Sequence, residues 1–206
     1  MSASSDLSRF QHHRRLALAA LITVALVALL FVQSALPSGS KAHEYVEVVG
    51  FALILVAILG RTWCTLYIGG RKSAEIVDKG PYSVTRNPLY VFSAIGAAGV
   101  GAMVGSVTVA VIFGVLTYLS FLYVILVEED YLRKTFGEVY LSYLNRVPRF
   151  FPNFSLFKDA EMLSVRPKTL YRTFSDGLIF LVAYPFFEFV EYLQNIGFLP
   201  VLFHLY

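Results

Sequence analysis

A lone cysteine, Cys64, leaves this chain no partner for an intramolecular disulfide and no basis for a cysteine-rich metal site. Charge is also scarce. Charged residues make up 15% of the sequence, against about 25% in an ordinary soluble domain. Lys and Arg exceed Asp and Glu only by 17 to 14. That excess, with no basic block outside the loops, speaks against a nucleic-acid partner. The histidines His12, His13, His43 and His204 show no metal-ligand spacing, so no metal is expected. The glycine-rich stretch IGAAGVGAMVG lacks the Gly-Lys-Ser/Thr ending and the preceding strand of a phosphate-binding loop. Gly101 and Gly105 within it are spaced for close helix packing. Internal repeats and low-complexity tracts are absent.

What the chain has in quantity is apolar residues, 57% of 206, where about 45–50% is usual. The length suits one domain, at most two. Apolar runs fall near 16–36, 45–69, 89–105, 107–127 and 177–203. A membrane span needs roughly 20 such residues. The expected fold is therefore all-α, a polytopic bundle of about five transmembrane spans. The third and fourth runs form a tight helical hairpin broken only at Gly105-Ser106. The last run is interrupted by Pro185, Glu188, Glu191 and Pro200, so a kink or an interfacial course is expected there. Glu188 and Glu191 share a helical face, either at an interface-level helix end or lining a substrate entrance. The first run is too long for the apolar core of a signal peptide and lacks a small-residue cleavage site, so it reads as a retained span.

Basic residues orient such a bundle. Arg9, Arg14 and Arg15 precede the first run, and Arg71, Lys72, Lys79 and Arg86 lie between the second and third. Arg133, Lys134, Arg146, Arg149, Lys158, Arg166, Lys168 and Arg172 follow the fourth. Lys41 alone falls on the other side, with Arg61 inside a span. This predicts a cytoplasmic N-terminus and two cytoplasmic polar segments, 70–88 and 128–175, brought to one face by the hairpin.

In the first segment, KGPYSVTRNPLYVF, Asn87 precedes a proline and is pushed out of helical geometry. Pro88 suits the first position of a helix and Asn87 suits its cap. The N–H groups of that helix end favour an anion. Gly80-Pro81 makes a turn carrying Tyr82 and Arg86 toward it. In the second segment, VEEDYLRKTFGEVYLSYLNRVPRFFP, the carboxylates Glu128, Glu129 and Asp130 call for a cation or a donor. If the fourth helix continues past them, Glu129 can pair with Arg133 at i,i+4. Phe136, Tyr140 and Tyr143 recur on one helical face, which could cage a cation or simply form an amphipathic interfacial helix.

The two segments together resemble the integral-membrane methyltransferases of the isoprenylcysteine carboxyl methyltransferase and phospholipid methyltransferase superfamily. GPYSVTRNPLY is similar to its Gly-Pro-Tyr then Arg-His-Pro-x-Tyr signature. The second segment is similar to its Glu-Glu, Phe-Gly, Tyr-x-x-Tyr and Arg-Val-Pro order. The resemblance spans about 45–153, leaving 1–44 as an N-terminal span and loop and 154–206 as a C-terminal extension with a further membrane segment. It implies S-adenosylmethionine bound at the cytoplasmic ends of the hairpin, lined by Lys79, Gly80, Pro81, Tyr82, Arg86, Asn87, Pro88 and Tyr90. Glu128 and Glu129 would take the ribose or amino group. Arg146 is the catalytic candidate, orienting an anionic acceptor, with Tyr140, Tyr143 and Arg149 beside it. Asn87 stands where many members carry histidine, and asparagine cannot exchange a proton near neutral pH.

The implied partners are the lipid bilayer and a lipophilic substrate, with a carboxylate acceptor favoured because it needs no general base. A lipid-headgroup methyltransferase, an NADPH-dependent membrane reductase and a non-catalytic membrane protein of the same fold stay open as alternatives.

Overall fold

The computed structural model describes residues 23–69 and 75–206. Residues 23–29 are helical and run into a short strand, β1 (Val32–Ser34). The helices that follow are α1 (Lys41–Ile68), the single turn α2 (Pro81–Val84), α3 (Pro88–Ala102), α4 (Val107–Phe136), α5 (Glu138–Arg146), α6 (Pro167–Leu178) and α7 (Ala183–Asn195). A 3-10 turn, Ile179–Val182, joins the last two, and a second strand, β2 (Phe203–Leu205), follows them.

Local signals explain the main boundaries. Ser40 accepts from the His43 amide at 3.3 Å and starts α1, and Ser106 accepts from the Val109 amide at 3.2 Å and starts α4. Pro88 opens α3 and Pro167 opens α6, where a missing N–H costs nothing.

The hairpin of α3 and α4 forms as expected, with α3 packed between α4 and α1. Small residues let these backbones approach. A Cβ on Gly99 would stand 2.7 Å from the Gly50 carbonyl oxygen, and one on Gly101 would stand 2.8 Å from that of Val109. Arg61, inside α1, donates to Ser93 of α3 at 3.0 Å. On another side of α1, α6 lies close enough for Thr65 to donate to Thr173 at 3.3 Å.

Three helical segments are long and apolar enough to cross a bilayer: Lys41–Ile68, Val107–Phe136 and Pro167–Asn195. Of the about five expected spans, the described residues hold these three, and the remaining runs stand as follows. α3 has 15 residues, about 22 Å of helix at 1.5 Å per residue, which is short of the roughly 30 Å hydrocarbon core. The last helical segment starts at Pro167, ahead of the apolar run, because an amphipathic turn leads it in. The first run lies partly outside the described residues, as does the retained-span reading of it, and by Val32 the chain is already a strand.

The purely α reading also misses a small sheet. β1 and β2 pair in parallel, Val32 opposite Phe203 and Ser34 opposite Leu205. The carbonyl of Tyr206 accepts from Ser106 at 2.8 Å and from the Thr108 amide at 2.5 Å, fastening residues 203–206 to the start of α4.

The charge asymmetry makes orientation measurable. In a Cys64→Ser background, a cysteine at exposed Ser38 should react with a membrane-impermeant maleimide in intact cells. One at exposed Asn145 should react only after permeabilisation. The reverse pattern rejects the orientation.

Candidate active site

Lys79–Tyr90 is a fold-back whose every bend has a local cause. Gly80 adopts φ +57°, a conformation that disfavours side chains, and its α-carbon lies against the ring of Tyr67. Pro81 then starts the single turn α2, and the Ser83 hydroxyl closes it on the Gly80 carbonyl at 2.6 Å. Asn87 leaves the helical region ahead of Pro88, and α3 begins there as expected. The expected side-chain cap does not form. The Asn87 amide instead donates to the Arg149 carbonyl at 2.9 Å.

That bond is one of several joining the two polar segments. The Arg86 amide donates to the Pro148 carbonyl at 2.9 Å, and the Asn153 amide donates to that of Val84 at 2.8 Å. Thr85 donates to the Phe150 carbonyl at 3.1 Å, and the Tyr143 hydroxyl donates to that of Tyr82 at 2.8 Å. A third strand of contacts comes from beyond residue 153. The Gly80 amide donates to the Lys158 carbonyl at 2.7 Å, the Lys158 amide donates to Ser83, and Tyr67 donates to the Asp159 carboxylate at 2.5 Å.

At the centre lies Glu129, 4% exposed. α4 continues through Glu128, Glu129 and Asp130 to Phe136, so the carboxylates do not meet a helix end. The i,i+4 partner expected for Glu129, Arg133, is not the one it takes. Arg149 binds it with both arms of its fork, Nε at 3.1 Å and a terminal nitrogen at 2.9 Å, and Arg86 approaches at 3.3 Å. Two guanidinium groups from two segments thus share one buried carboxylate. Arg149 is held even more firmly protonated than usual, first by its hydrogen bond to Glu129. The neighbouring Glu128 accepts from Tyr90 at 3.0 Å. Asp130, on the exposed side of α4, pairs with Lys134 at 2.6 Å.

The aromatic face is interrupted. Gly137, at φ +53°, ends α4 and begins α5, so Phe136 belongs to one helix and Tyr140 and Tyr143 to the next. The three still pack in one cluster with Val147, and Tyr140 and Tyr143 are buried. Burial pushes the Tyr140 phenol up to about 12 and raises those of Tyr143 and Tyr82 as well. These rings serve packing here rather than an open cage.

Two buried polar atoms in this region have no hydrogen-bond partner among the described residues, the Tyr82 hydroxyl and Nε of Arg86. Unpaired buried groups of this kind are costly unless something else meets them. Tyr90 and Glu128 lie within electrostatic reach of Tyr82. The residues fit a polar, partly charged ligand: the Tyr82 hydroxyl lies within electrostatic reach of the Glu128 carboxylate, and Nε of Arg86 adds a second donor in the same fold-back.

Of the expected site residues, Gly80, Pro81, Tyr82 and Pro88 are buried in the fold-back, Arg86, Asn87 and Tyr90 are half-buried, and Lys79 is exposed. Arg146 stands apart from the Glu129 centre, its side chain 42% exposed and paired with Asp78 at 2.6 Å. The sequence reading missed Asp78, Ser83, Thr85, Lys158 and Asp159. Ser83 and Thr85 sat inside the quoted motif, whereas nothing in the sequence tied 158–159 to it. It also found no metal spacing around His43. At the opposite end of α1, His43 and Glu47 occupy an i,i+4 pair that Glu191 of α7 completes.

A family model described as phospholipid methyltransferase matches residues 45–139. The chain is 34% identical, over 97% of its length and 93% of the relative's, to the nickel-cobalt-cadmium resistance protein NccN of Alcaligenes xylosoxydans xylosoxydans. It is 35% identical over 78% of its length and 73% of the relative's to the cobalt-zinc-cadmium resistance protein CzcN of Cupriavidus metallidurans. A more distant relative is protein-S-isoprenylcysteine O-methyltransferase B of Arabidopsis thaliana, 30% identical over 55% of this chain and 63% of that one. No solved structure matches.

Two outcomes test the site's construction. Glu129→Ala leaves two guanidinium groups without their carboxylate. Removing one partner of a buried pair costs about 3–5 kcal/mol, and solvent around half-exposed Arg149 favours the lower end. Thermal unfolding in detergent should show a large fall in Tm, whereas Asp130→Ala should leave it unchanged. Alkaline pH gives the second. The Tyr140 phenol ionises near 10 when unfolded and near 12 when folded. Its contribution is complete below pH 10 and disappears as pH rises through 12. Tyr140→Phe should flatten the loss of Tm over that window; an unchanged slope would mean that Tyr140 is not buried as described.

Proposed function

The chain belongs to the isoprenylcysteine carboxyl methyltransferase and phospholipid methyltransferase superfamily, and from that premise we propose that it is an S-adenosylmethionine-dependent enzyme of the membrane that methylates a carboxylate on a lipophilic acceptor. The observation that carries this reading is the Glu129 junction. It fastens the two motif-bearing segments together beside the unpaired donors of Tyr82 and Arg86.

The cofactor would supply an electrophilic methyl group on a sulfonium. In this reading Nε of Arg86 and the amide end of α3 meet its carboxylate, while Glu128 accepts from its ribose hydroxyls or amino group. Lys79, Gly80 and Pro81 shape the loop around it, and the Tyr82 and Tyr90 rings suit a cationic sulfur. Glu129 acts indirectly, by holding Arg86 and Arg149 in place. Asn87, hydrogen-bonded to residue 149, contributes position and no proton transfer.

The acceptor side rests on Arg146. Arg149 has its fork committed to Glu129, whereas Arg146, at a half-exposed site, pairs among the described residues with Asp78. An incoming carboxylate can compete with Asp78 for the same planar fork. A carboxylate is already ionised at neutral pH, so positioning and water exclusion are what the protein must provide. Tyr140 and Tyr143, buried on the helix that carries Arg146, fix that helix, Tyr143 by its bond to the Tyr82 carbonyl. The basic-residue asymmetry supports a cytoplasmic site. The names of the two bacterial relatives support a cellular setting in resistance to divalent metals.

Purified protein incubated with methyl-labelled S-adenosylmethionine and a membrane extract should yield label released as methanol by mild base, the mark of a methyl ester. Base-stable label would favour a headgroup amine instead, and failure to bind the cofactor by calorimetry would overturn the reading. Glu128→Gln should weaken cofactor binding by about 1.5–3 kcal/mol, the range for a hydrogen bond to a charged group. Arg146→Lys should leave cofactor affinity within about twofold yet lower turnover by about two orders of magnitude, because only acceptor alignment suffers. Near-normal turnover would make Arg146 a surface charge.

A further inference from the structure

Glu47 lies 20 residues before Tyr67 on α1, about 30 Å from the fold-back at 1.5 Å per residue. At that far end, three side chains from two helices converge. His43 Nε2 lies 3.2 Å from a Glu47 carboxylate oxygen and 3.4 Å from one of Glu191. His43 is 4% exposed and Glu47 8%. Glu188 adds a further carboxylate near Glu47. Among the described residues, no lysine or arginine forms an ion pair with Glu47 or Glu191. A neutral imidazole can offer one Nε2 proton to two carboxylates, and a protonated one leaves the group net negative.

We propose that His43, Glu47 and Glu191 form a binding site for a divalent transition-metal cation. The distances suit it. Ligands held at about 2.0–2.1 Å around a tetrahedral ion stand about 3.3–3.4 Å apart, close to both separations from His43. All three ligand atoms lie within 4.8 Å of one another. One imidazole nitrogen and two carboxylates are the donor set of zinc-class ions such as Zn²⁺, Co²⁺ and Ni²⁺, not of Mg²⁺ or Ca²⁺, which prefer all-oxygen sites. The charge suits it too, because a divalent ion offsets both carboxylates at once.

A fourth ligand has a place. A small cavity with a volume of about 10 Å³, apolar on one side, has Ser34, His43, Glu191 and Gln194 among its lining residues, about the room one water needs. The ring itself is held by packing. It lies against the α-carbon of Gly105, where any Cβ would collide with it, and its Nδ1 has no hydrogen-bond partner among the described residues. The ion would tie α7 to the start of α1. The site shares no residue with the fold-back and does not depend on methyl transfer.

The test uses Co²⁺ as the probe, added to the full chain purified in detergent without a histidine tag, in a His12→Ala/His13→Ala background. Expected is one equivalent bound, with visible ligand-field absorption of four- or five-coordinate intensity, displaced by Zn²⁺. His43→Ala should abolish the band, and the isosteric Glu191→Gln should weaken binding at least tenfold. Glu191 is partly exposed, so that variant tests the site even if His43→Ala fails to fold. Absence of the band in the parent protein overturns the proposal, as does an affinity for Co²⁺ that Glu191→Gln leaves unchanged.

Discussion

A carboxylate buried beside a bilayer must be neutralised, and the way Glu129 meets that demand organises this end of the molecule. Its two partners come from opposite sides of the α3–α4 hairpin in sequence: Arg86 precedes it and Arg149 follows it. Each guanidinium carries its own segment of backbone. The Arg86 amide binds the Pro148 carbonyl, and the Arg149 carbonyl receives Asn87. One charge requirement therefore fixes the register of two chain segments that share no regular secondary structure with each other.

Packing and polarity divide the labour along the bundle. In the middle, α1, α3 and α4 approach through glycine and alanine, which is how helices associate where the surroundings are as apolar as the side chains. Polar groups gather at the two ends. At one end they are arginines around a glutamate, with unpaired donors nearby. At the other they are glutamates around a histidine. The first arrangement suits an anionic or polar organic ligand and the second suits a cation, and α1 connects them as a single uninterrupted helix.

The segment after residue 153 does more than extend the core. Lys158 and Asp159 are fastened to the Gly80 turn and to Tyr67, and Glu191 reaches His43. Residues from the C-terminal third therefore touch both polar ends. Similarity to the NccN relative extends over 97% of the chain, beyond the matched 45–139.

The sequence by itself determined the helical character, the hairpin, the start of α3 at Pro88 and the nearness of the two polar segments. These follow from local rules: apolar run length, proline at the first helical position, and a hairpin that must return the chain to the side it left. Its resemblance to a methyltransferase superfamily rested on short ordered motifs, which are also local. Only the tertiary structure decided which arginine meets which carboxylate. Arg133 and Arg149 both suit Glu129 by charge, and the bonds from Arg86 to the Pro148 carbonyl and from Asn87 to the Arg149 carbonyl hold Arg149 against it. It likewise decided that Asn87 donates across to residue 149 instead of capping its own helix. Short parallel strands at 32–34 and 203–205 carry too few residues for a legible pattern, and the meeting of Glu191 with His43 spans 148 residues. No periodicity encodes a contact at that separation, which depends on how helices stack.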